Sequence, residues 1–170
     1  LEISTVVSLF AYVFIYVVAF LGSLGCILLL GKEERILTDL ISDLKFIIKA
    51  NPTVAWCMVL FMLSMAGIPP TIGFYAKFVV LESMVNSNLL WLAVFAVLLS
   101  VVGAFYYLRI VKIILFDGVY VKDPVKPVDL SFFSYSFLLV NSAFILLCGI
   151  FPDIVFDPVS RLIQFSFYSD

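Results

Sequence analysis

The 170-residue sequence is 64% hydrophobic, has a mean hydropathy of +1.21, and is only 13% charged. A water-soluble fold of this length cannot hide that much apolar surface, so the solvent for most of the chain is a bilayer. The formal net charge of −2 excludes little, because the charges are segregated along the chain, but the absence of histidine removes the commonest metal ligand and the usual near-neutral proton carrier.

The chain starts at Leu1, directly before an apolar run, with no basic n-region and no small-residue cleavage site, so a signal peptide is not expected. A start without methionine suggests a missing segment, processing or an unusual start codon. A first membrane segment covers about 4–30 and is long enough to span with tilt. Gly31-Lys32-Glu33-Glu34-Arg35 ends it. An amphipathic connector follows over 32–50. Its Ile36, Leu37, Leu40, Ile41, Leu44, Ile47 and Ile48 fall on one helical face, which predicts a helix lying on the membrane surface or on neighbouring helices. Asn51-Pro52 supplies an N-cap and a first-turn proline for the next helix.

The second membrane segment covers 52–85. As one helix it would be about 50 Å long, well beyond a roughly 30 Å hydrocarbon core. Gly67-Ile68-Pro69-Pro70 resolves the excess by breaking it into two half-helices, with Gly73 close behind. A proline pair removes two backbone donors and clashes with the preceding turn, and in lipid the freed carbonyls need partners from other helices or from a hydrated cavity. Lys77 follows, eight residues before Val85, or about 12 Å of helix rise, which puts it near mid-depth. A lysine there marks an ion or proton path. Burial and a nearby carboxylate act on its proton in opposite directions, so neighbours can switch its charge. Glu82 is the nearest candidate carboxylate, about 140° around an ideal helix from Lys77 and close to the segment end. It reads first as a solvated or partner-facing group and second as a point of proton uptake or release.

A third segment covers 89–116 and ends in Tyr106-Tyr107-Leu108-Arg109-Ile110-Val111-Lys112, where Arg109 and Lys112 anchor the helix end and compensate its dipole or touch a lipid phosphate. A polar link over 117–130 leads to a fourth segment over 131–151, in which Asn141 and Ser142 read as interhelical hydrogen-bonding groups. Asp157-Pro158 can open a terminal interfacial helix over 157–168 with Val159, Leu162, Ile163 and Phe165 on its apolar face. Trp56 and Tyr120 read as interfacial, and the remaining aromatic residues as packing filler. Cys26, Cys57 and Cys148 are scattered over three apolar segments without a CxxC or Cys/His cluster, so no zinc, haem or iron–sulfur site is expected.

The sum is a single all-α integral membrane domain over 1–170 with about four transmembrane helices, one of them discontinuous at Gly67–Pro70. Alternating spans gather Lys32, Arg35, Lys45, Lys49, Lys112, Lys122 and Lys126 on one face and leave Arg161 on the other. The positive-inside rule puts the first group in the matrix or cytoplasm and both termini on the opposite, intermembrane-space or periplasmic, side.

The run Leu63-Ser64-Met65-Ala66-Gly67-Ile68-Pro69-Pro70-Thr71-Ile72-Gly73-Phe74-Tyr75-Ala76-Lys77-Phe78 resembles the signature of the antiporter-like membrane subunits of respiratory complex I. Tyr106-Tyr107-Leu108-Arg109-Ile110-Val111-Lys112-Ile113, about 31 residues on, resembles the following helix of that family's subunit 2 branch, the counterpart of the bacterial N subunit. Phe78 stands where the subunit 5 branch has an aspartate, and Lys77 where the subunit 4 branch has a glutamate. The resemblance covers nearly all of this chain but only the C-terminal part of the family fold, which is built from two inverted five-helix repeats.

What the resemblance implies is a proton-translocating subunit of NADH:ubiquinone oxidoreductase in the mitochondrial inner membrane or a bacterial plasma membrane, with Lys77 on the proton path. It implies no cofactor on this chain; NADH, FMN, iron–sulfur clusters and ubiquinone belong to other subunits. The implied partners are other membrane-arm subunits, including a chain that supplies the missing N-terminal helices, together with membrane lipids and no nucleic acid. The family's proton-path residues of the first repeat have no counterpart here. Two alternatives remain: a subunit of a cation/proton antiporter complex, and a structural filler of the membrane arm without its own proton path.

Overall fold

The computed structural model describes residues 3–30, 41–117 and 131–168. The first part of the expected connector, Tyr120, and the charges at Lys32, Arg35, Lys122 and Lys126 lie outside these residues. Among the described residues the secondary structure is helical throughout: α1 (Ile3–Leu30), a 3-10 helix (Ile41–Phe46), α2 (Ile47–Ala50), α3 (Pro52–Ala66), α4 (Ile72–Asn86), α5 (Leu90–Leu115), α6 (Phe132–Ile150) and α7 (Asp153–Tyr168). By length and composition three stretches can cross a bilayer alone, Thr5–Leu29, Leu90–Leu115 and Phe132–Ile150. The fourth passage is the broken pair α3 and α4, each about 22 Å long.

α3 is the centre of the bundle. Ten of its fifteen residues are buried, including Val54, Met58 and Phe61, and α1, α5 and α6 pack around it. α1 meets it along a stripe of mostly small residues, Ala11, Ile15, Ala19, Gly22 and Cys26, spaced three or four apart. Small residues let membrane helices approach closely, which is where packing energy comes from when lipid is as apolar as the side chains. Gly22 shows how close: a Cβ there would sit 2.6 Å from the Phe61 ring. α5 behaves oppositely. Only Ala93, Val111 and Ile114 are buried, and Leu98, Val101 and Phe105 face outward.

Local chemistry sets the helix ends. Asn51 Oδ1 accepts from Val54 N at 3.3 Å, and Pro52 opens α3 where its missing N–H is harmless. Ser131 caps α6 through Ser134 N at 3.4 Å. Asn141 Nδ2 donates to Val18 O on α1 at 3.3 Å, and Ser142 Oγ accepts from Cys57 Sγ on α3, so these two polar residues of α6 bond between helices.

Two elements differ from the sequence expectation. The described part of the connector is a 3-10 helix running into one turn of α-helix, and it packs on α5 and α3. Leu44 of the 3-10 helix and Ile47, the first residue of α2, are both buried. The terminal helix begins at Asp153, four residues ahead of Asp157, and Pro158 lies inside it. Its first turn forms on the Pro152 carbonyl, which accepts from Val155 N and Phe156 N. Val155 is buried, and Phe156 meets Tyr75 edge-on with centroids 5.2 Å apart, so core packing fixes the helix start.

Candidate functional site

The break between α3 and α4 is built from its backbone. Gly67 takes the left-handed conformation (φ 80°), open to glycine without penalty, and turns the chain out of α3. Gly67 N and Ile68 N then donate back to Leu63 O at 3.0 and 3.1 Å, and Ser64 O also accepts from Gly67 N. Thr71 N and Thr71 Oγ1 both donate to Ile68 O, at 3.2 and 2.8 Å, tying the link before α4 starts. The Pro69–Pro70 bond is cis. Two further glycines let the break sit inside the bundle: a Cβ on Gly73 would strike Ser64 O, and one on Gly149 of α6 would strike Pro70 O.

These bonds leave the last carbonyls of α3 without backbone partners. Lys77 supplies them. Its Nζ donates to Met65 O at 2.9 Å, to Ala66 O at 3.0 Å and to Ser100 Oγ of α5 at 3.1 Å. An ammonium has three N–H donors and no acceptor, so the three acceptors match it one for one. The two carbonyls also form the negative end of the α3 dipole, which favours a cation. Lys77 is half-buried, and its stem lies against Gly67, where a Cβ would come within 2.8 Å of Cδ. Ser100 is the eleventh residue of a 26-residue spanning helix, about 15 Å from its start and 22 Å from its end.

Two spaces adjoin Lys77. A cavity of about 10 Å3 lies between it, Ser64, Gly73, Tyr12 and Tyr16. That is the lower limit for one water. Ser64 is 2% exposed, and its Oγ has no hydrogen-bond partner. An open groove of about 480 Å3 is lined by Lys77, Ser100, Tyr12, Tyr16 and Tyr107, among others. Tyr16 Oη and Tyr107 Oη are hydrogen-bonded at 3.0 Å across α1 and α5, and the rings of Tyr12 and Tyr16 stack with centroids 6.2 Å apart.

The fold therefore brings together Lys77, Gly67, Pro69, Pro70 and Gly73. Glu82 is exposed on α4 and is not a partner of Lys77. Arg109 and Lys112 are exposed in the last two turns of α5, away from the break. Sequence reasoning missed Ser100, Ser64 and the three tyrosines, which it assigned to packing. The i, i+4 spacing of Tyr12 and Tyr16 was the available signal, since it puts both on one helix face. Nothing in spacing alone could place Ser100 beside Lys77.

Comparison with known proteins now bears on this arrangement. Residues 2–103 match the family described as NADH:quinone oxidoreductase/Mrp antiporter, TM. The chain belongs to this family. It is a multi-pass membrane protein whose broken helix and Lys77 lie inside the matched region. It is 43% identical over 91% of its length to the NADH-quinone oxidoreductase subunit N of Nitrosomonas europaea, covering 31% of that protein. It is 45% identical over 81% of its length to the subunit N of Cupriavidus taiwanensis, covering 27%. A third relative, the subunit N of Methylovorus glucosotrophus, is 38% identical over 95% of this chain and 32% of its own length. The chain thus spans about a third of the curated relatives it matches.

Proposed function

We propose that this chain forms the C-terminal part of a subunit 2 (N-type) protein in the proton-translocating membrane arm of complex I, and that Lys77 carries the proton at mid-depth. One observation carries the reading: a lysine near the middle of the spanning bundle is bonded to the open carbonyl end of a broken helix. Such a group can hold a proton and release it without any other ionised side chain among its bonding partners. The names of the relatives support the assignment to an NADH-quinone oxidoreductase. In this reading quinone reduction elsewhere in the complex changes the charge along a chain of ionisable groups, and Lys77 passes its proton towards the outer side. No cofactor sits on this chain; NADH, FMN, iron–sulfur clusters and ubiquinone are handled by other subunits. Its partners are the other membrane-arm subunits, polypeptide that supplies the N-terminal helices of the family fold, and lipid. The membrane is a bacterial plasma membrane or the mitochondrial inner membrane, with the face of Lys45, Lys49 and Lys112 inside and the chain ends outside.

Lys77→Met tests this in membranes containing the whole complex. Methionine keeps most of the stem and gives up three hydrogen bonds, at an average of about 0.6 kcal/mol each inside a membrane, a loss the assembled complex can absorb. Native gels with NADH dehydrogenase staining should show normal assembly, while NADH-driven proton uptake by inverted vesicles should collapse. Full pumping by the assembled variant refutes the role of Lys77 and leaves the chain as structural filler. Migration of the chain with sodium-transporting antiporter subunits, and without dehydrogenase activity, would instead assign it to the antiporter branch named in the family description.

A further inference from the structure

We infer that the hydroxyls of Tyr107 and Tyr16, with Ser100, form an uptake leg that delivers protons to Lys77 from the basic face of the membrane. The inference rests on the proposed proton role of Lys77 and adds the residues that refill it.

Three observations converge. Ser100 Oγ already bonds Lys77 Nζ at 3.1 Å, so it is in position for transfer to that atom. The groove beside Lys77 is lined by Ser100, Tyr16 and Tyr107 together, and at about 480 Å3 it has room for several waters between them. Tyr16 Oη and Tyr107 Oη are 3.0 Å apart although they come from different helices, which makes a continuous pair of exchangeable protons. Direction follows from register. Tyr107 is seven residues beyond Ser100 along α5, about 10 Å, toward the end that carries Arg109 and Lys112. Tyr16 is likewise one turn beyond Tyr12 along α1, in the direction of Leu30.

The step balances without electrons. After Lys77 has released its proton, its neutral amine accepts one from the Ser100 hydroxyl. Ser100 takes one from groove water, the water takes one from the tyrosine pair, and the pair takes one from water at the basic face. Every hydroxyl ends with the proton count it began with, and reorientation of the hydroxyls resets the wire. The orphaned Ser64 Oγ lines the one-water cavity together with Gly73 and is not part of this leg.

The test uses the whole complex in inverted membrane vesicles, with Tyr107→Phe, Tyr16→Phe and the double variant beside Lys77→Met. Phenylalanine keeps both rings and removes only the hydroxyls. We expect normal assembly, coupled turnover down by roughly tenfold, and a larger ratio of rates in H2O and D2O. That loss is smaller than for a fixed acid–base group, because water can refill part of the gap. The double variant should be little worse than either single one, since the hydroxyls act in series. Assembled Tyr variants with the wild-type rate and isotope ratio, beside an inactive Lys77→Met, would overturn the leg and leave the pair as a clamp between α1 and α5. A fully active Lys77→Met would overturn the Lys77 reading and this inference with it. If the Tyr variants fail to assemble, Ser100→Ala decides: it leaves the tyrosine pair intact, and an unchanged rate and isotope ratio would overturn the leg.

Discussion

Gly67→Ala perturbs the site without replacing any group proposed to carry a proton. Gly67 has φ 80°, and an L-residue held there costs about 1–2 kcal/mol. The new Cβ would also lie 2.8 Å from Lys77 Cδ and 3.2 Å from Nζ, so the lysine must swing away. Its three hydrogen bonds go with it, and inside membranes such bonds average about 0.6 kcal/mol each, with a maximum near 1.7. Together these give a destabilisation of roughly 3–4 kcal/mol, with Lys77 displaced from the α3 carbonyls. Gly67→Asn separates the two effects. Asparagine tolerates the left-handed conformation but still carries a Cβ. The assay measures thermal stability of the purified complex together with NADH-driven proton uptake. Alanine should lower both, whereas asparagine should recover part of the stability but not the uptake. If Gly67→Ala keeps wild-type stability and pumping, Lys77 is not seated against Gly67 and the reasoning fails. If asparagine restores pumping fully, backbone strain rather than lysine displacement governs the site.

Two further outcomes follow from contacts around the break. Gly73→Ala drives a Cβ into the Ser64 carbonyl and should push α4 off α3, at about 1–3 kcal/mol, seen as a lower melting temperature of the complex; an unchanged melting temperature would mean the two half-helices are not in contact there. Glu82→Gln removes a charge that is exposed and not bonded to Lys77, so assembled complexes should pump at the wild-type rate; loss of pumping would restore Glu82 to the path.

The helix break was readable because proline cannot donate and glycine alone turns out of a helix without penalty, and both facts are local to Gly67-Ile68-Pro69-Pro70. Lys77 was readable because a charge in an apolar run has few harmless explanations. Its partners were not. Two are backbone carbonyls, which every residue possesses, and the third is a serine 23 residues on whose register against Lys77 depends on how α5 crosses the bundle. The same holds for the Tyr16–Tyr107 bond, made between residues 91 apart. The helix type of the connector's described part was not legible for a related reason. A spacing of three, as between Leu44 and Ile47, fits both a 3.6-residue and a 3.0-residue period over so short a stretch.

The choice of partners has a consequence for what Lys77 can do. Had a carboxylate held it, departure of the proton would strand a buried anion, at several kcal/mol. Backbone carbonyls and a serine hydroxyl carry no net charge, so departure of the proton leaves no ion behind. A neutral amine keeps two N–H donors for the two α3 carbonyls and presents its lone pair to the Ser100 hydroxyl, which then donates where it had accepted. The broken helix is thus part of how the lysine's charge is held. It exposes the two carbonyls, Gly67 leaves room for the side chain over them, and the carbonyls hold the charge without a counter-ion.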